Sequence, residues 1–395
     1  MAKFVFINIP SRSHINPTLP IVQELVARGE EVLYYLTERF RAEVEATGAT
    51  FRGYETKIEQ INKAAFSSGK PVGLPMYMAD ESLYVIPQIL DEVRAAQPDC
   101  IVYDTMCLSG RLIAEILHVP AVNFRMIFAF NKRLAEIFQR NALQDPAGLE
   151  AFQATMNTLC SLYHVQPFHI GSIFTHEEPL NLVTIPRAFQ IDGDSFGEKY
   201  RFVGPALAPR KEQVEFPFDQ IEDQPVVYIT QGTVYNDRPH FFNLCFTALA
   251  DTPWKVVISI GTNVDQKKLL PVPGNFLVRT YLPQIEILKR ARVCVYHGSM
   301  TTTMEALSQG TPVVVIPQNI ADERVNAMRI EELGLGIRLD EAALTPEGLR
   351  DAISLVSDNP TYYARVQKMQ EEIEKAGGYI RAADILQEYV KLPVR

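Results

Sequence analysis

Residues 297–318 read HGSMTTTMEALSQGTPVVVIPQ and follow the apolar run 293–296. They bring together an imidazole (His297), four hydroxyls (Ser299, Thr301, Thr302, Thr303) and a carboxylate, Glu305. A strand that opens into a helix rich in small donors offers backbone N–H groups and the positive end of the helix dipole to a phosphate. If Met300 begins the helix, Thr301 and Glu305 lie one turn apart on one face. His297 can then donate to a phosphate oxygen, and Glu305 can accept from two ribose hydroxyls. Read blandly, the threonines are ordinary residues at a helix start. Upstream, Tyr281 and Gln284 pair an aromatic ring with an amide, which suits stacking on and hydrogen bonding to a base, although a packed tyrosine has the same look. Downstream, Asp322 and Glu323 could take sugar hydroxyls or form a solvated turn.

A second group lies near the start. His14 stands in Ser11-Arg12-Ser13-His14-Ile15-Asn16-Pro17, after a strand and before a helix, where a doubly wound domain presents catalytic groups. Alone it could be a loop histidine with a structural hydrogen bond. Asp104 ends another strand of the same half, and strand ends on one sheet edge are neighbours. A carboxylate on one imidazole nitrogen fixes the tautomer and stabilises the imidazolium formed on proton uptake. Asp99, before that strand, is expected at its far end. No GxSxG elbow, GxGxxG fingerprint or Walker A loop occurs. The SSGK at 67–70 reads as a loop, and the DGD at 192–194 as a turn rather than a metal site.

The elements that must carry these residues alternate. Apolar runs at 3–9, 31–36, 99–103, 121–124, 182–185 and 202–203 are expected strands, with helical periods at 19–28 and 110–117 between them. Residues 204–224 lose periodicity and hold Pro205, Pro209 and Pro217. The rhythm then restarts with strands at 226–230, 255–260, 276–278, 292–296 and 312–316 and a helix around 240–250, and residues 344–394 read as helical. The expected class is α/β, with two Rossmann-like doubly wound domains facing across a cleft. The expected boundaries are 1–208, a linker at 209–224, a second domain at 225–376 and a final helix at 377–395.

At 395 residues, two domains are expected. The formal net charge of −9 argues against nucleic acid or an anionic membrane surface as the main partner. Five cysteines without a CxxC pair suit reduced thiols in a cytoplasmic protein and give no metal site. The N-terminus runs straight into a strand, and no apolar run approaches membrane-spanning length.

Taken in order, these motifs resemble the family 1 glycosyltransferases of GT-B fold, particularly the bacterial macrolide-type group. Residues 14–19, HINPTL, are similar to the GHVNPTL motif that carries the catalytic base and includes Asn16. Residues 101–104, IVYD, are similar to the strand carrying its aspartate partner. FVGP at 202–205 resembles the end of the first domain. VYITQGT at 227–233 resembles the strand whose final residue, Thr233, faces the diphosphate. YLPQIEIL at 281–288 resembles WVPQLEIL, residues 297–318 the signature motif, and GGYIRAADI at 377–385 the last helix. Ser13, Tyr281, Ser299, Thr301-Thr302 and Asp322-Glu323 depart from the usual Gly, Trp, Gly, Asn-Ser and Asp-Gln.

The resemblance implies inverting transfer of a sugar, glucose first, from a UDP-sugar to a hydroxyl of a small apolar or aromatic acceptor such as a flavonoid or macrolide. TDP donors and other sugars stay open. His14 would act as base with Asp104, and no metal would be required. Met76, Tyr77, Met78, Tyr84, Phe124, Met126, Phe128 and Phe130 lie in segments that could line the acceptor pocket or simply pack the core. The protein would be a monomer or homodimer without stable membrane attachment. Two other readings use the same fold: a UDP-sugar epimerase, and a non-catalytic helper, which should lack the base or its aspartate.

Overall fold

The computed structural model describes residues 1–58, 73–132, 135–136, 140, 143–208, 215–232, 236–318 and 321–391. The chain divides into two units, one formed by Met1–Ala208 with Ala376–Arg395 and the other by Pro209–Lys375.

In the first unit the strands are β1 (Lys3–Ile7), β2 (Glu31–Leu36), β3 (Thr50–Gly53), β4 (Cys100–Asp104), β5 (Ala121–Arg125), β6 (Leu180–Val183) and β7 (Tyr200–Phe202). They form one parallel sheet in the order β3-β2-β1-β4-β5-β6-β7. Side chains that alternate along each strand feed two cores. Ile101 and Tyr103 of β4 join one core with the helices Gly73–Ala96, Leu108–Leu117 and Pro146–Tyr163. Cys100 and Val102 join the other with the helices Leu19–Ala27 and Gly378–Lys391. Burial on both faces explains why these strands read as continuous apolar runs. Arg28 fastens the last helix to this unit through Asp384 at 2.7 Å and Gln387 at 3.0 Å.

The second unit holds β8 (Val226–Thr230), β9 (Lys255–Ser259), β10 (Phe276–Arg279), β11 (Ala291–Tyr296), β12 (Val313–Val315) and β13 (Gly336–Arg338). They are parallel in the order β10-β9-β8-β11-β12-β13. The helices Pro239–Leu249 and Pro346–Asp358 pack on one face of the sheet. In the stretch expected as a linker, residues 209–214 lie outside the described residues. Farther along, Ile221 is buried and Arg290 lies over the Phe218 ring.

The end of β1 departs from the sequence expectation. β1 stops at Ile7 because the Asn8 side chain turns back to the Ile9 amide at 2.8 Å. The DGD string is a turn: Asp192 has φ +50° and accepts from Asn131, and Gly193–Ser195 form a single 3₁₀ turn. Asp99 accepts from the Lys3 amide at the N-terminal edge of the sheet, away from His14. Among the described residues, no helix is long and apolar enough to cross a membrane.

Candidate active site

The order of the first sheet reverses between β1 and β4, where Ile7 pairs with Tyr103. A crevice opens beyond the carboxyl ends of strands at such a switch point. His14 follows β1 in the short helix Arg12–Ile15, and Asp104 is the last residue of β4. His14 Nδ1 lies 3.0 Å from Asp104 Oδ2. Asp104 is sealed from solvent, and its Oδ1 accepts from the Met106 amide at 2.7 Å. A carboxylate only accepts, so the proton of a neutral His14 sits on Nδ1 and Nε2 keeps its lone pair. Asn16 is half-buried two residues on.

A buried polar cluster, invisible to motif reading, fixes this loop. Asn8 Nδ2 donates to the His14 carbonyl and to Tyr34 Oη, both at 3.0 Å. Tyr34 Oη meets Thr18 Oγ1 at 2.6 Å, and the Tyr54 hydroxyl donates to the Asn8 carbonyl at 2.5 Å.

The second sheet reverses between β8 and β11, and His297 follows β11. The helix Met300–Ser308 opens three residues later. Its N-cap, Ser299, makes no side-chain cap; the Ser299 hydroxyl meets Thr302 Oγ1 at 3.1 Å instead. Amides of the first turn therefore lack the usual side-chain acceptor, as an anion-binding helix requires. Two glycines let the backbone close in. Gly232 has φ +71°, and a Cβ there would meet the His297 ring at 2.7 Å. Gly298 has φ +102°, and a Cβ would meet the Glu323 carbonyl at 2.9 Å.

His297 is buried, and this desolvation, with the Arg238 cation adding to it, pushes its imidazole down to about 4. At neutral pH it is a neutral ring, with its N–H in hydrogen-bonding reach of the Thr230 carbonyl. Its Nδ1, Gln231 Nε2 and Asn236 Oδ1 are buried polar atoms that find no partner among the described residues. A polar ligand would satisfy such atoms, which otherwise carry a desolvation cost. Arg238 donates to Gln231 Oε1 at 2.8 Å and pairs with Glu341; Gln318 Nε2 reaches the same Gln231 oxygen at 3.1 Å. Nothing in the sequence marks Arg238.

Gln284 and Glu305 are brought together. The Gln284 amide donates to Glu305 Oε2, and its Oε1 accepts from Tyr228 Oη at 2.7 Å. Tyr281, just ahead, is 55 % exposed, as a stacking platform should be. Thr301 is half-buried and Thr302 is buried. Thr303 departs from its expected place among the phosphate donors. It is fully buried, with its hydroxyl on Tyr296 Oη at 2.5 Å and the Ser299 carbonyl at 2.8 Å. Asp322 and Glu323 sit in the first turn of the helix Ala321–Leu333 and diverge: Asp322 is exposed, Glu323 buried. Thr233 lies outside the described residues, as does the SSGK at 67–70.

The expected acceptor residues also separate. Phe124 is a correction: its ring is 1 % exposed and packed in the core beneath the last helix, with Met126 in the same cluster. β-strand alternation sends Phe124 to that face. Met78 is buried and Met76 and Phe130 half-buried in the opposite core, where Phe130 stacks on Phe174. Tyr77 is half-buried, and the Tyr84 hydroxyl donates to Glu55. Phe128 is buried and stacked on Phe189 at 5.6 Å. Gln190, which the sequence did not flag, clamps the neighbouring Ala129 through both its amide and its carbonyl, at 2.9 and 3.1 Å.

The family described as erythromycin biosynthesis protein CIII-like, C-terminal domain, matches residues 244–379. The chain is 34 % identical to the NDP-glycosyltransferase YjiC of Bacillus subtilis over 98 % of this chain and 96 % of that protein. It is 30 % identical to the demethyllactenocin mycarosyltransferase of Streptomyces fradiae over 98 % of this chain and 86 % of the relative. The crystal structure of CalG4, the calicheamicin glycosyltransferase, superposes with a TM-score of 0.86 at 30 % identity and covers 100 % of both chains. With two Rossmann-like sheets, a histidine–aspartate pair at one switch point and an open helix at the other, the chain belongs to the family 1 glycosyltransferases of GT-B fold, enzymes of the macrolide and natural-product type.

Proposed function

We propose that this glycosyltransferase moves glucose from UDP-glucose to a hydroxyl of a small apolar or aromatic acceptor, with inversion at the anomeric carbon. The observation that carries this reading is the His14–Asp104 pair at 3.0 Å. His14 Nε2 takes the acceptor proton as the hydroxyl oxygen attacks the anomeric carbon and the bond to the diphosphate breaks. Asp104 stabilises the imidazolium that results. General base help of this kind is worth roughly 10²–10⁴-fold. The uncapped amides of the helix Met300–Ser308 take the charge that builds on the departing diphosphate, each donor worth about 2.7–4 kcal/mol. Gln284 and Glu305 take the ribose, and Tyr281 stacks on the base. In this mechanism no metal is needed.

The test is UDP release from UDP-glucose with and without a phenolic acceptor, in the wild type and in His14→Ala. Release that depends on the acceptor, and that disappears in the variant while UDP binding persists, is the expected result. Near-wild-type turnover in His14→Ala sinks the mechanism. Equal release without acceptor, accompanied by isomerised UDP-sugar, points instead to an epimerase.

A further inference from the structure

Two glutamines close over the strand that carries His297. Gln231 is the first residue beyond β8, Gln318 lies three residues beyond β12, and β11 runs between those two strands. Neighbouring strands lie about 4.8 Å apart, so a link between the two loops has to cross the end of β11. Gln318 Nε2 makes that link, donating to Gln231 Oε1 at 3.1 Å. Arg238, just before the helix Pro239–Leu249, donates to the same oxygen at 2.8 Å and pairs with Glu341 in the turn after β13. A guanidinium only donates, so Gln231 can present nothing but its oxygen to Arg238. Its Nε2 turns away, sealed and without an acceptor among the described residues. An unpaired buried N–H₂ group costs stability, so stability alone does not account for a glutamine here.

The residues on either side of Gln231 hold the His297 ring. The Thr230 carbonyl accepts from the ring, and Gly232 packs so close that a Cβ would meet it at 2.7 Å. On the other side, the Gln318 backbone amide donates to Glu323 at 2.8 Å. Asn326 of the same helix donates to the Gly298 carbonyl at 2.7 Å. The turn 297–299, ahead of the helix Met300–Ser308, is therefore gripped from the β8 side and from the β12 side. The Gln231–Gln318 contact closes the grip.

We propose that Arg238 is a positioning residue for the donor diphosphate: by fixing the Gln231 amide it clasps the loops after β8 and β12 across β11, and so holds the turn 297–299 and the uncapped helix start in place for the anion. The proposal rests on the donor reading given above. The role calls for a fork rather than a charge. One planar group serves Gln231 and Glu341 together, which an ammonium on a flexible stem does not reproduce.

The experiment is calorimetric titration of the whole protein with UDP, for the wild type, Arg238→Lys, Gln231→Leu and the double variant, each well below its Tm. Arg238→Lys keeps the positive charge and is expected to lose about tenfold in UDP affinity, because the anion-binding turn is misplaced. Gln231→Leu removes the shared acceptor and is expected to lose about as much. Both changes open one clasp, so the double variant is expected to fall no more than about twofold below the weaker single variant. Gln318→Leu opens the clasp from its less buried end and should show the same loss, which carries the test if a change at 231 or 238 prevents folding. Wild-type affinity in the folded variants, or losses that multiply in the double variant, overturns the proposal and leaves the donor reading standing. Failure of the wild type to bind UDP overturns both. A merely structural Arg238 would lower Tm and leave the affinity of the folded protein unchanged, which also overturns the proposal.

Discussion

Asn8 holds the carbonyl of His14 at 3.0 Å through the same amide nitrogen that meets Tyr34. His14, the proposed base, is thus fixed from beneath through its backbone, by a side chain that does not touch its ring. Asn8→Asp keeps the shape and removes both donated hydrogen bonds. The expected result is a fall in kcat of roughly tenfold, because small misplacement of a catalytic group is costly, with KM for the donor little changed. An unchanged kcat, with only a lower Tm, would assign Asn8 to stability alone.

Asp104 offers a sharper test. In Asp104→Asn the amide can present a donor to His14 Nδ1 and turn the tautomer, leaving Nε2 protonated and useless as a base. Turnover should drop by roughly 10²–10⁴-fold. UDP binding, measured by calorimetry, should stay within about twofold, since Asp104 is in the other unit from His297.

Two buried titratable groups of the second unit, His297 and Glu323, predict an unusual stability profile. His297 takes a proton in the unfolded chain near 6.5 but in the folded protein only near 4, so stability falls as pH drops through that window, by about 3 kcal/mol in all. Glu323 behaves oppositely. The folded protein keeps a proton that the unfolded chain releases near 4.5, so its contribution declines as pH rises from there to about 8. Between pH 6.5 and 8 only Glu323 acts, and the wild type should lose stability with rising pH. Urea unfolding at pH 6.5, 7.2 and 8 should show this slope, and Glu323→Gln should flatten it.

Gly232 separates stability from ligand binding. A methyl group there meets the His297 ring, and the positive φ adds strain. Gly232→Ala should lower stability by about 1–3 kcal/mol and weaken UDP binding by at least about tenfold, read by thermal unfolding and calorimetry. Unchanged affinity would show that the His297 position is irrelevant to the nucleotide.

Phe124 and Phe128 should part company under substitution. Phe124→Leu disturbs a sealed core and should cost about 1–3 kcal/mol with the acceptor KM unaltered. A shift in acceptor KM with Tm unchanged would return Phe124 to the pocket wall.

Much of this was legible in the chain. Parallel strands buried on both faces are continuous apolar runs, so 31–36 and 226–230 were read to the residue. Residues at strand ends announce themselves by type, which marks His14, Asp104 and His297 as candidates. What escaped were contacts set by direction. Period alone could not say that Thr303 turns inward to Tyr296 while Thr301 does not, nor that Asp322 and Glu323, adjacent in sequence, point oppositely. Helical neighbours are about 100° apart, and burial is decided by what packs on each side. Asn8, Gln231, Arg238 and Gln190 were missed because their role is to hold other residues, and such partners carry no spacing rule. Phe124 packs the core rather than a pocket wall, because strand alternation sends it to the face beneath the last helix.

The last helix, Gly378–Lys391, places Ala382, Ala383, Ile385 and Leu386 in the core that Phe4, Phe6 and Val22 begin. The first unit is thus built from two separate stretches of the sequence, with the second unit inserted between them. On the ribosome, where chains grow at about 5–20 residues per second, the second unit is complete before the first has received its closing helix. Until then the apolar groove over β1 and the helix Leu19–Ala27 stands open. The stretch made before the inserted unit is sealed only after it, and its exposure during synthesis lasts as long as translation of the whole inserted unit.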